Sequence, residues 1–428
     1  MRQLDNWFRA YIEYSQASDA PRLYHTWVGL ATLAGAVRAH TYIDIGYSRL
    51  YPNLYVCLVG PSGGRKTTAA DIGVNLLSHV DGIRIKRDKI TPERIIRYLS
   101  EGIDLKSIDD QKATFDDTRN LFIYAPELAT LIGTSSYSSV VIEILTRLYD
   151  NTPFEYSLVS QEDVKIEKFN VNVLACSTPE WLARGIDPDS IGGGFIGRFL
   201  LPTNTSYETI KFRALPKLTE EQLRLENMLI NDLQHIATLE GEVRLDEESY
   251  REYSEWFESQ AYMQDIVLDK GYFVRKPIHV LKVAMLLSLA ASDDMIIHYQ
   301  QYKAARSLVE LLDKKVEDAL LYIGATDELR VQQLILELLE VKPRTYGELV
   351  GFTRKYTRSL YGLDNALNTL IAGKLIVKKA TSKDVVFELE KDVKERKIKE
   401  IAEAMGRLGY FTFVVVCSLI SIISFFAM

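Results

Sequence analysis

Apolar residues near the start of the chain repeat at the spacing of a helix. The repeat is formed by Trp7, Tyr11, Tyr14, Leu23, Trp27 and Leu30. Pro21 interrupts it, because proline has no amide hydrogen for the helical ladder and clashes with the preceding turn. Residues 5–37 are therefore predicted to form two helices that cap the rest of the fold.

Short apolar runs follow, and such runs are typical of buried strands. They cover residues 53–59, 83–85, 121–125, 171–176 and 199–201. Segments with helical periodicity lie between them, at 67–80, 92–99 and 139–149. Strands that alternate with helices in this way indicate an α/β fold with a mostly parallel sheet and helices on both faces.

Two further patterns follow the first strands. Residues 155–173 alternate polar and apolar side chains, which predicts an antiparallel hairpin before the strand at 171–176. Residues 218–323 are helical in pattern and poor in strands, and they include an apolar helix at 277–291. This helical region is a candidate lid on the sheet domain.

The pattern changes again towards the C-terminus. Three helical segments, at 328–339, 346–353 and 360–372, precede two alternating runs, LIVKK and VVFELE, around the polar turn 380–384. Three helices and a hairpin in this order predict a winged helix-turn-helix. A charged connector at 391–409 comes next.

The last 19 residues, 410–428, contain no charged side chain. A helix of about 20 apolar residues spans a bilayer, so this segment is predicted to be a transmembrane tail. Lysines and arginines precede it, and such residues usually stay on the cytoplasmic side, so the domains are expected at the cytoplasmic face of the membrane. A buried or partner-binding helix in a cytoplasmic protein is the alternative, because Ser418, Ser421 and Ser424 fall at the spacing of a helix contact.

Composition narrows the class of protein. The chain has 428 residues, which is long enough for two or three domains. It is 47% hydrophobic and 25% charged, an ordinary globular composition. The net charge of -7 argues against a wholly basic coat, so any contact with nucleic acid must come from a local patch. The three cysteines lack the spacing of a disulfide framework or metal site, which indicates a reducing, intracellular setting. The six histidines share no metal-ligand spacing, and nothing indicates zinc or a nucleophilic triad.

The strongest chemical signal is GPSGGRKTT at residues 60–68, directly after a predicted strand. It keeps the spacing of the phosphate loop GxxxxGKT at Gly60, Lys66 and Thr67, but Arg65 stands where the second glycine belongs. Such a loop turns backbone N–H groups towards phosphate oxygens, its lysine reaches the β- and γ-phosphates and its threonine binds Mg²⁺. We expect ATP and Mg²⁺ as ligands, with the nucleotide contacted by Gly60, Pro61, Ser62, Gly63, Gly64, Arg65, Lys66, Thr67 and Thr68. The alternative is a glycine turn with surface cations.

Glu127 ends the apolar run NLFIYAPEL, where a Walker B segment carries its acidic pair. Only half of the pair is present, because Pro126 replaces the expected Mg²⁺-binding aspartate. We expect Glu127 to activate the attacking water and to be a candidate Mg²⁺ ligand beside Thr67. The missing aspartate weakens the case for rapid hydrolysis. Alternatively, Glu127 only caps the helix that follows.

Three further side chains are candidates for phosphate contacts. Ser177 ends the strand in VNVLACSTPEW, where a small polar group can sense the γ-phosphate, although Ser or Thr before proline also starts helices. Arg198 in IGGGFIGRFLLP is predicted to reach the nucleotide of a neighbouring subunit and to stabilise transition-state charge, with a local salt bridge as the alternative. Arg275, at the start of the apolar lid helix, is a second candidate arginine.

Several of these runs together resemble one known family. YPNLYVCLVGPSGGRKTT, the strand ending APEL, STPEW, GGGFIGRF and RKPIHVLKVAMLLSLA look like the helicase-type AAA+ ATPases of phages, plasmids and other mobile elements, often found alongside a primase. The resemblance spans residues 7–312, and GGGFIGRF is similar to the arginine-finger segment of minichromosome maintenance helicases. It implies an ATPase that forms a ring of copies, such as a hexamer, and replicates mobile DNA with a primase or other replication proteins. No primase portion is recognised here, and the apolar tail departs from the family's soluble pattern.

With these motifs the pattern divides the chain into six parts. They are an N-terminal helical segment (1–50), an AAA+ P-loop ATPase core (51–216), a helical lid (217–323), a winged helix (324–390), a charged linker (391–409) and a transmembrane tail (410–428).

DNA contacts are expected from the winged-helix region. Residues 341–390 hold nine Lys/Arg and five Asp/Glu, a net charge of +4 within an acidic chain. The cations that gather before its third helix and on its wing are Arg354, Lys355, Arg358, Lys378, Lys379 and Lys383. These positions suit phosphate contacts, although winged helices also bind proteins. Lys165 and Lys168 of the inserted hairpin either track DNA in a ring's pore or only protect an edge strand.

Two functions compete. The first is an ATP-dependent DNA motor of the helicase-type AAA+ class that acts in replication or maintenance of mobile-element DNA. The second is a membrane-anchored, ATP-gated switch that holds nucleic acid or protein without translocating, which Pro126 favours. A signalling ATPase whose winged helix recognises protein is a remoter option.

Overall fold

The computed structural model describes most of the chain. The described residues are 2–101, 119–133, 137–156, 164–166, 169–185, 194–204, 210, 217–261, 270–322, 327–354, 357, 360–380 and 384–390. The α-helices are α1 (Trp7–Ser15), α2 (Arg22–Val37), α3 (Lys66–Leu77), α4 (Pro92–Glu101), α5 (Leu128–Ile132), α6 (Tyr137–Tyr149), α7 (Pro179–Gly185), α8 (Glu220–Ile236), α9 (Glu247–Ala261), α10 (Lys270–Ala291), α11 (Tyr299–Tyr322), α12 (Asp327–Val341), α13 (Tyr346–Thr353) and α14 (Leu360–Ala372). The strands are β1 (Thr41–Asp44), β2 (Arg49–Leu50), β3 (Tyr55–Val59), β4 (Ile85–Arg87), β5 (Arg119–Ala125), β6 (Phe154–Tyr156), β7 (Val164–Ile166), β8 (Phe169–Ser177), β9 (Phe199–Leu200), β10 (Gly241–Glu242), β11 (Arg244–Leu245), β12 (Ile296–Ile297), β13 (Arg344–Thr345), β14 (Ile376–Ala380) and β15 (Val385–Leu389).

Five parallel strands form the central sheet, in the order β4-β5-β8-β3-β9. Tyr55 of β3 lies opposite Val173 of β8 on one side and Phe199 of β9 on the other. Every residue of β3 and β8 is buried, as expected for parallel strands that are covered on both faces. The predicted α/β fold with a parallel sheet is confirmed, although β4 begins two residues later than predicted.

The two predicted N-terminal helices are confirmed, on either side of Pro21, and they belong to the same core as the sheet. Helix α2 packs on α3, β3 and β8. The Trp7 indole in α1 donates to the carbonyl of Leu229 in α8 at 2.8 Å. The backbone amides of Gln3 and Leu4 donate to the Asp232 carboxylate at 2.7 and 2.9 Å. The start of the chain is therefore fastened to the helical region that follows the sheet.

The inserted hairpin is also confirmed. Strands β6 and β7 pair antiparallel, with Glu155 opposite Lys165. Lys168 lies outside the described residues. The hairpin ends directly before β8, which is the position that the alternating pattern predicted.

Helices α8 to α11 make up the region predicted as a lid. Its strands are only two residues long, and β10 and β12 pair with β1 and β11. Helix α10 begins at Lys270, seven residues before its predicted start, and carries Pro277 in its interior. It packs on α1, α2 and α11, so this region is joined to the core that holds the sheet.

The chain divides into two compact units, Met1–Gly324 and Ala325–Met428. In the second, α12, α13 and α14 pack with the antiparallel sheet β13-β15-β14 around Ile335, Leu349 and Phe387. The three predicted helices and the hairpin are present, whereas the two-residue strand β13 was not predicted. This strand leads into α13, where Thr345 and Glu348 form a capping box.

No helix in the part of the chain that the structure describes is both long and apolar enough to cross a bilayer. The predicted linker, 391–409, and the predicted transmembrane segment, 410–428, lie outside the described residues. The membrane anchor therefore stays a prediction.

A buried lysine, Lys282, joins α10 to Asn53, which lies just before β3. The ammonium of Lys282 donates to the backbone carbonyl and the side-chain Oδ1 of Asn53 at 3.1 and 2.8 Å, and lies 3.9 Å from the centroid of the Tyr149 ring. Burial lowers the pKa of Lys282 to about 7, although the nearby Asp150 carboxylate acts to raise it. A lysine with such a pKa changes its charge near neutral pH only in the folded state.

We predict that Lys282 makes the stability of this fold depend on pH. Its pKa in the unfolded chain is about 10.4, so between about pH 7 and pH 10 the unfolded state holds more protons and this group's contribution to stability rises with pH. The free energy of unfolding of the wild type should rise relative to Lys282→Met from about pH 7 to about pH 9, by at most ~1.4 kcal/mol per pH unit. Urea denaturation of both proteins measures the difference, and a difference that stays constant with pH would contradict the prediction.

Candidate functional site

The loop at residues 60–68 leaves the carboxyl end of β3 and enters α3, as predicted. Carboxyl ends of parallel strands meet at one edge of a sheet, where open α/β proteins bind ligands. Gly63 has a φ of 75°, which side-chain-bearing residues rarely adopt, and the Gly64 amide donates to the Pro61 carbonyl at 3.0 Å. The turn therefore presents its backbone at the N-terminus of a helix, which favours anions.

The start of this loop is held by α2. The Tyr24 hydroxyl donates to the Val59 carbonyl at 2.8 Å. A Cβ atom on Gly60 would lie 2.2 Å from the Tyr24 hydroxyl oxygen and 2.7 Å from the Asn204 carbonyl oxygen. Glycine is needed at this position because backbone and tyrosine already fill the space of a side chain.

Arg65 occupies the position of the second glycine in the phosphate-loop pattern. Its φ of 63° and ψ of 20° lie in the left-handed region. This explains the usual glycine, since another residue costs about 1–2 kcal/mol there. The Arg65 Nε lies 2.8 Å from the Oδ2 of Asp19, in the connection between α1 and α2. The turn thus keeps a glycine-type backbone although an arginine occupies it.

Lys66 is the first residue of α3, and it is only 9% exposed. Its ammonium donates to the carbonyls of Gly60 and Pro61, both at 2.7 Å. Burial lowers the pKa of Lys66, an effect that two neighbouring thiols and a carboxylate oppose. An ammonium has three N–H donors, so one remains for a phosphate oxygen after these two bonds. The loop thus positions its lysine through its own carbonyl groups.

The loop borders a cleft of about 380 Å³. The other walls are the start of α5, the end of β8 and Trp181 of α7. The predicted site residues that line this cleft are Ser62, Gly63, Gly64, Arg65, Lys66, Thr67, Thr68, Glu127 and Ser177. Strands β3, β5 and β8 therefore bring the phosphate loop, the acidic strand end and the candidate phosphate sensor to one cavity.

The chemistry of this cleft fits ATP and Mg²⁺. The Thr67 hydroxyl and the Glu127 carboxylate are oxygen donors of the kind that Mg²⁺ prefers, and both residues are exposed. Pro126 brings no donor, and among the described residues no group of three or more His, Cys, Asp or Glu could hold a metal. Mg²⁺ is commonly bound by one or two protein ligands together with substrate phosphates and water, so two donors beside a phosphate loop suffice.

Glu127 stands at the N-cap position of α5, but its carboxylate makes no capping hydrogen bond in this described part of the chain. A carboxylate at a helix N-terminus also interacts with the helix dipole without such a bond, so the alternative in which Glu127 only caps the helix stays a prediction. At the end of β8, the Thr178 hydroxyl instead accepts from the Trp181 amide at 3.2 Å and caps α7. Ser177, whose hydroxyl donates to the Thr178 carbonyl at 3.3 Å, is the residue of this pair that remains a candidate for sensing phosphate.

Arg198 and Arg275 are not among the described residues that line the cleft. Arg198 is 7% exposed, and its guanidinium donates to the Asp150 carboxylate at 2.6 Å and to the Gly194 carbonyl at 2.7 Å. A Cβ atom on Gly194 would lie 3.1 Å from Arg198 Nη1 and 3.2 Å from Arg275 Nη1, so both arginines approach this glycine. Within one chain Arg198 makes the local salt bridge, and its contact with a neighbouring subunit's nucleotide stays a prediction.

Half of the candidate DNA-binding residues can be located in the second unit. Arg354 is exposed directly after α13, and Lys378 and Lys379 are exposed on β14. Lys379 forms an ion pair with Glu388 on β15. The other three candidates, Lys355, Arg358 and Lys383, lie outside the described residues.

Several residues of the site carried no recognisable signal in the sequence. Asp19 and Tyr24 contact the two ends of the phosphate loop, and Asp150 pairs with Arg198 across 48 positions. Trp181 stands in the run STPEW, two residues after a proline, but a lone tryptophan does not indicate a ligand. Contacts between distant parts of the chain leave no local pattern, so only the fold reveals them.

Comparison with known proteins assigns this chain to no family. No family model matches the chain, and no curated protein matches it either. A function for this chain is therefore inferred from the geometry and the chemistry of the cleft.

We predict that Arg198→Ala lowers stability, because it removes two hydrogen bonds from a buried guanidinium and leaves the Asp150 carboxylate without this partner. The expected loss is about 2 kcal/mol in the free energy of unfolding, with a smaller loss for Arg198→Lys. Denaturation curves of the wild type and both variants measure it. Unchanged stability of Arg198→Ala together with lost ATP turnover would contradict the prediction and favour a role at a neighbouring subunit's nucleotide.

Proposed function

We propose that this protein is an ATP-hydrolysing P-loop ATPase of the AAA+ kind that acts on nucleic acid. The observation that carries the proposal is one cleft in which the loop around Lys66 meets Glu127 and Ser177. A cation held at a helix start suits a polyphosphate, and a carboxylate across the cleft suits activation of water.

The order of the strands supports this class over other phosphate-loop proteins. Strand β8 lies between β3, which delivers the phosphate loop, and β5, which delivers Glu127. The sequence pattern predicts one strand-bearing unit between these two motifs, which suits AAA+ and RecA-like ATPases better than nucleotide kinases. The helical region after the sheet agrees with the lid that was predicted to follow an AAA+ core.

The proposed reaction assigns a task to each residue in the cleft. Lys66 and the backbone amides of the loop bind the β- and γ-phosphates, and Thr67 and Glu127 would hold Mg²⁺. When bound, Mg²⁺ offsets negative charge on the phosphate oxygens. Glu127 orients a water molecule and takes up its proton as the water oxygen bonds to the γ-phosphorus and the bond to the β–γ bridging oxygen breaks. The products are ADP and inorganic phosphate.

The other proposed properties depend on the second unit and on the ends of the chain. The cations Arg354, Lys378 and Lys379 support contact with DNA, which the -7 charge of the whole chain would not. We propose a ring of copies, such as a hexamer, that replicates or maintains mobile-element DNA with a primase or other replication proteins. The apolar segment 410–428 would anchor the ring at the cytoplasmic face of the membrane.

A second candidate is an ATP-gated switch at the membrane that binds DNA or a protein partner without translocating. Pro126 favours it, because the strand end lacks the aspartate that would complete the Mg²⁺ site. Such a switch would bind Mg-ATP tightly and hydrolyse it slowly. Nucleotide binding with no turnover, unchanged by Glu127→Gln, would favour the switch over the motor.

We predict that two substitutions separate binding from hydrolysis. Lys66→Ala should weaken Mg-ATP binding by at least about tenfold, because it removes a charged hydrogen bond to phosphate. Glu127→Gln should weaken Mg-ATP binding much less than Lys66→Ala does, because Thr67 and the phosphates still hold Mg²⁺, but it should lower the ATPase rate by about a hundredfold or more, because an amide cannot take up the proton. Equilibrium binding of a fluorescent ATP analogue and release of phosphate measure the two effects.

Matched controls are available close to the site. Lys89→Ala removes an exposed lysine that follows β4, and Glu143→Gln neutralises an exposed glutamate on α6. Both variants should behave like the wild type. If folded wild-type protein failed to retain Mg-ATP, or if Lys66→Ala bound it equally well, the proposed function would be wrong.

We predict that DNA raises the ATPase rate in a salt-dependent way. Single- or double-stranded DNA should stimulate phosphate release several-fold at low salt, and the effect should fall as salt rises, since phosphate contacts release counterions. Lys378→Glu should weaken the stimulation, whereas Lys378→Arg keeps the charge and should retain it. An ATPase rate that DNA of either kind leaves unchanged across the salt series would exclude the motor and leave the switch.

A further inference from the structure

The ion pair between Arg65 and Asp19 links the phosphate loop to the N-terminal helices. Asp19 lies in the connection between α1 and α2, and its side chain is 14% exposed, whereas that of Arg65 is 41% exposed. Arg65 also lines the cleft, directly before Lys66. One side chain therefore contacts the cleft and the N-terminal connection at the same time.

Stability alone does not account for an arginine at this position. A partly exposed ion pair contributes about 0.2–1 kcal/mol, while the left-handed backbone of Arg65 costs about 1–2 kcal/mol that glycine would avoid. Strained residues of this kind gather at functional sites, where the rest of the structure holds them in place. We therefore look for a favourable interaction of Arg65 that forms only when a ligand is bound.

The chemistry of the two neighbouring cations shows which of them can exchange its partner. Lys66 is held by the carbonyls of Gly60 and Pro61, which belong to the loop itself. Arg65 is held by a carboxylate from another part of the chain, and a phosphate oxygen is an anion of the same kind. A planar guanidinium carries five N–H donors and binds phosphate as readily as carboxylate, often through two bonds at once.

We propose that Arg65 exchanges Asp19 for a phosphate oxygen of the bound nucleoside triphosphate, so that the α1–α2 connection responds to occupancy of the cleft. This inference rests on the proposed function. Asp19 is then a positioning residue: it holds Arg65 beside the loop and competes with the nucleotide for it. Arg65 is a binding residue that the usual glycine could not provide.

The surroundings of Asp19 allow it to leave Arg65 without loss of the fold. The Ser18 hydroxyl accepts from the Ala20 amide at 2.9 Å and lies 3.1 Å from the buried His25 Nε2. Tyr24 meanwhile holds the other end of the loop through the Val59 carbonyl. These contacts hold α2 and the start of the loop, so breaking the ion pair loosens the connection around Asp19 and leaves the helices in place.

A double-mutant cycle on the full-length chain, kept in a mild detergent because of its apolar C-terminal segment, tests the exchange with Mg-ATP. Asp19→Asn should bind roughly three- to tenfold tighter than the wild type, because a competing anion is removed. Arg65→Ala should bind about tenfold weaker, as for loss of a charged hydrogen bond. In the Arg65→Ala background, Asp19→Asn should change the affinity less than about twofold, because the two residues act as one pair. Asp5→Asn, an exposed acid before α1, is the control and should bind like the wild type.

Hydrogen exchange gives a readout that a purely structural ion pair would not move. Amides of residues 16–20 should exchange faster in wild type with Mg-ATP than without it, and this response should be lost in Arg65→Ala. If wild type binds Mg-ATP but Asp19→Asn binds equally or more weakly, or binds tighter to the same extent with and without Arg65, the exchange is overturned. A wild type that does not bind Mg-ATP at all would instead reject the proposed function on which the exchange rests.

Discussion

The rest of the structure depends on the tight turn that carries the chain from β3 into α3. Its first residue has no room for a side chain, because Tyr24 and the Asn204 carbonyl occupy that space. At its other end, the carbonyls of Gly60 and Pro61 hold Lys66, and the Asp19 carboxylate holds Arg65. A loop fixed at both ends has already lost the backbone freedom that binding would otherwise remove, so its amides can hold an anion at lower entropic cost. Helix α2 and the connection before it are therefore part of the proposed nucleotide site and not only a cap on the fold.

A group of buried nitrogen-bearing side chains, Lys282, Arg198 and His279, lies near Asn53, which precedes β3. Lys282 of α10 binds Asn53, the Arg198 guanidinium binds Asp150, and His279 lies between the Tyr149 hydroxyl and the Gly197 carbonyl at 3.1 Å each. Burial lowers the pKa of His279 to about 3, so this imidazole is neutral at physiological pH and one of its nitrogens accepts while the other donates. Buried polar groups that are hydrogen-bonded in this way favour a single packing, because a shift breaks these bonds. The network ties α10 to the segment around Arg198, and a movement of one has to disturb the other.

Local pattern was sufficient to predict elements that are long, periodic or bounded by strong turn signals. The sheet strands, the paired N-terminal helices, the inserted hairpin and the three C-terminal helices all lie close to their predicted positions. The start of α10 was predicted wrongly at Pro277, because proline disfavours the helix interior; burial of Tyr272 and the 2.5 Å contact of Lys276 with Asp313 on α11 stabilise the turns before it. Periodicity shows which faces are buried but not which distant residues meet there. The residues that gather at the cleft were therefore predictable from motif spacing, whereas the partners of Arg65 and Arg198 were not.

The two departures from the phosphate-loop ATPase pattern change the charge of the cleft in the same direction. Arg65 replaces a neutral glycine with a cation, and Pro126 replaces an anionic aspartate with a neutral residue. Both changes favour the binding of a polyanion, while the second removes a group that would hold Mg²⁺ during phosphoryl transfer. Asp19 neutralises the added cation as long as it remains paired, so the full attraction would develop only as the nucleotide enters. We therefore expect this site to bind nucleotide well and to hydrolyse it slowly, and slow hydrolysis would prolong the bound state in which an ATP-dependent change of shape can act. The proposed motor and the proposed switch would bind the nucleotide in the same way, and they would differ in how long the cleft keeps it and in whether the protein translocates.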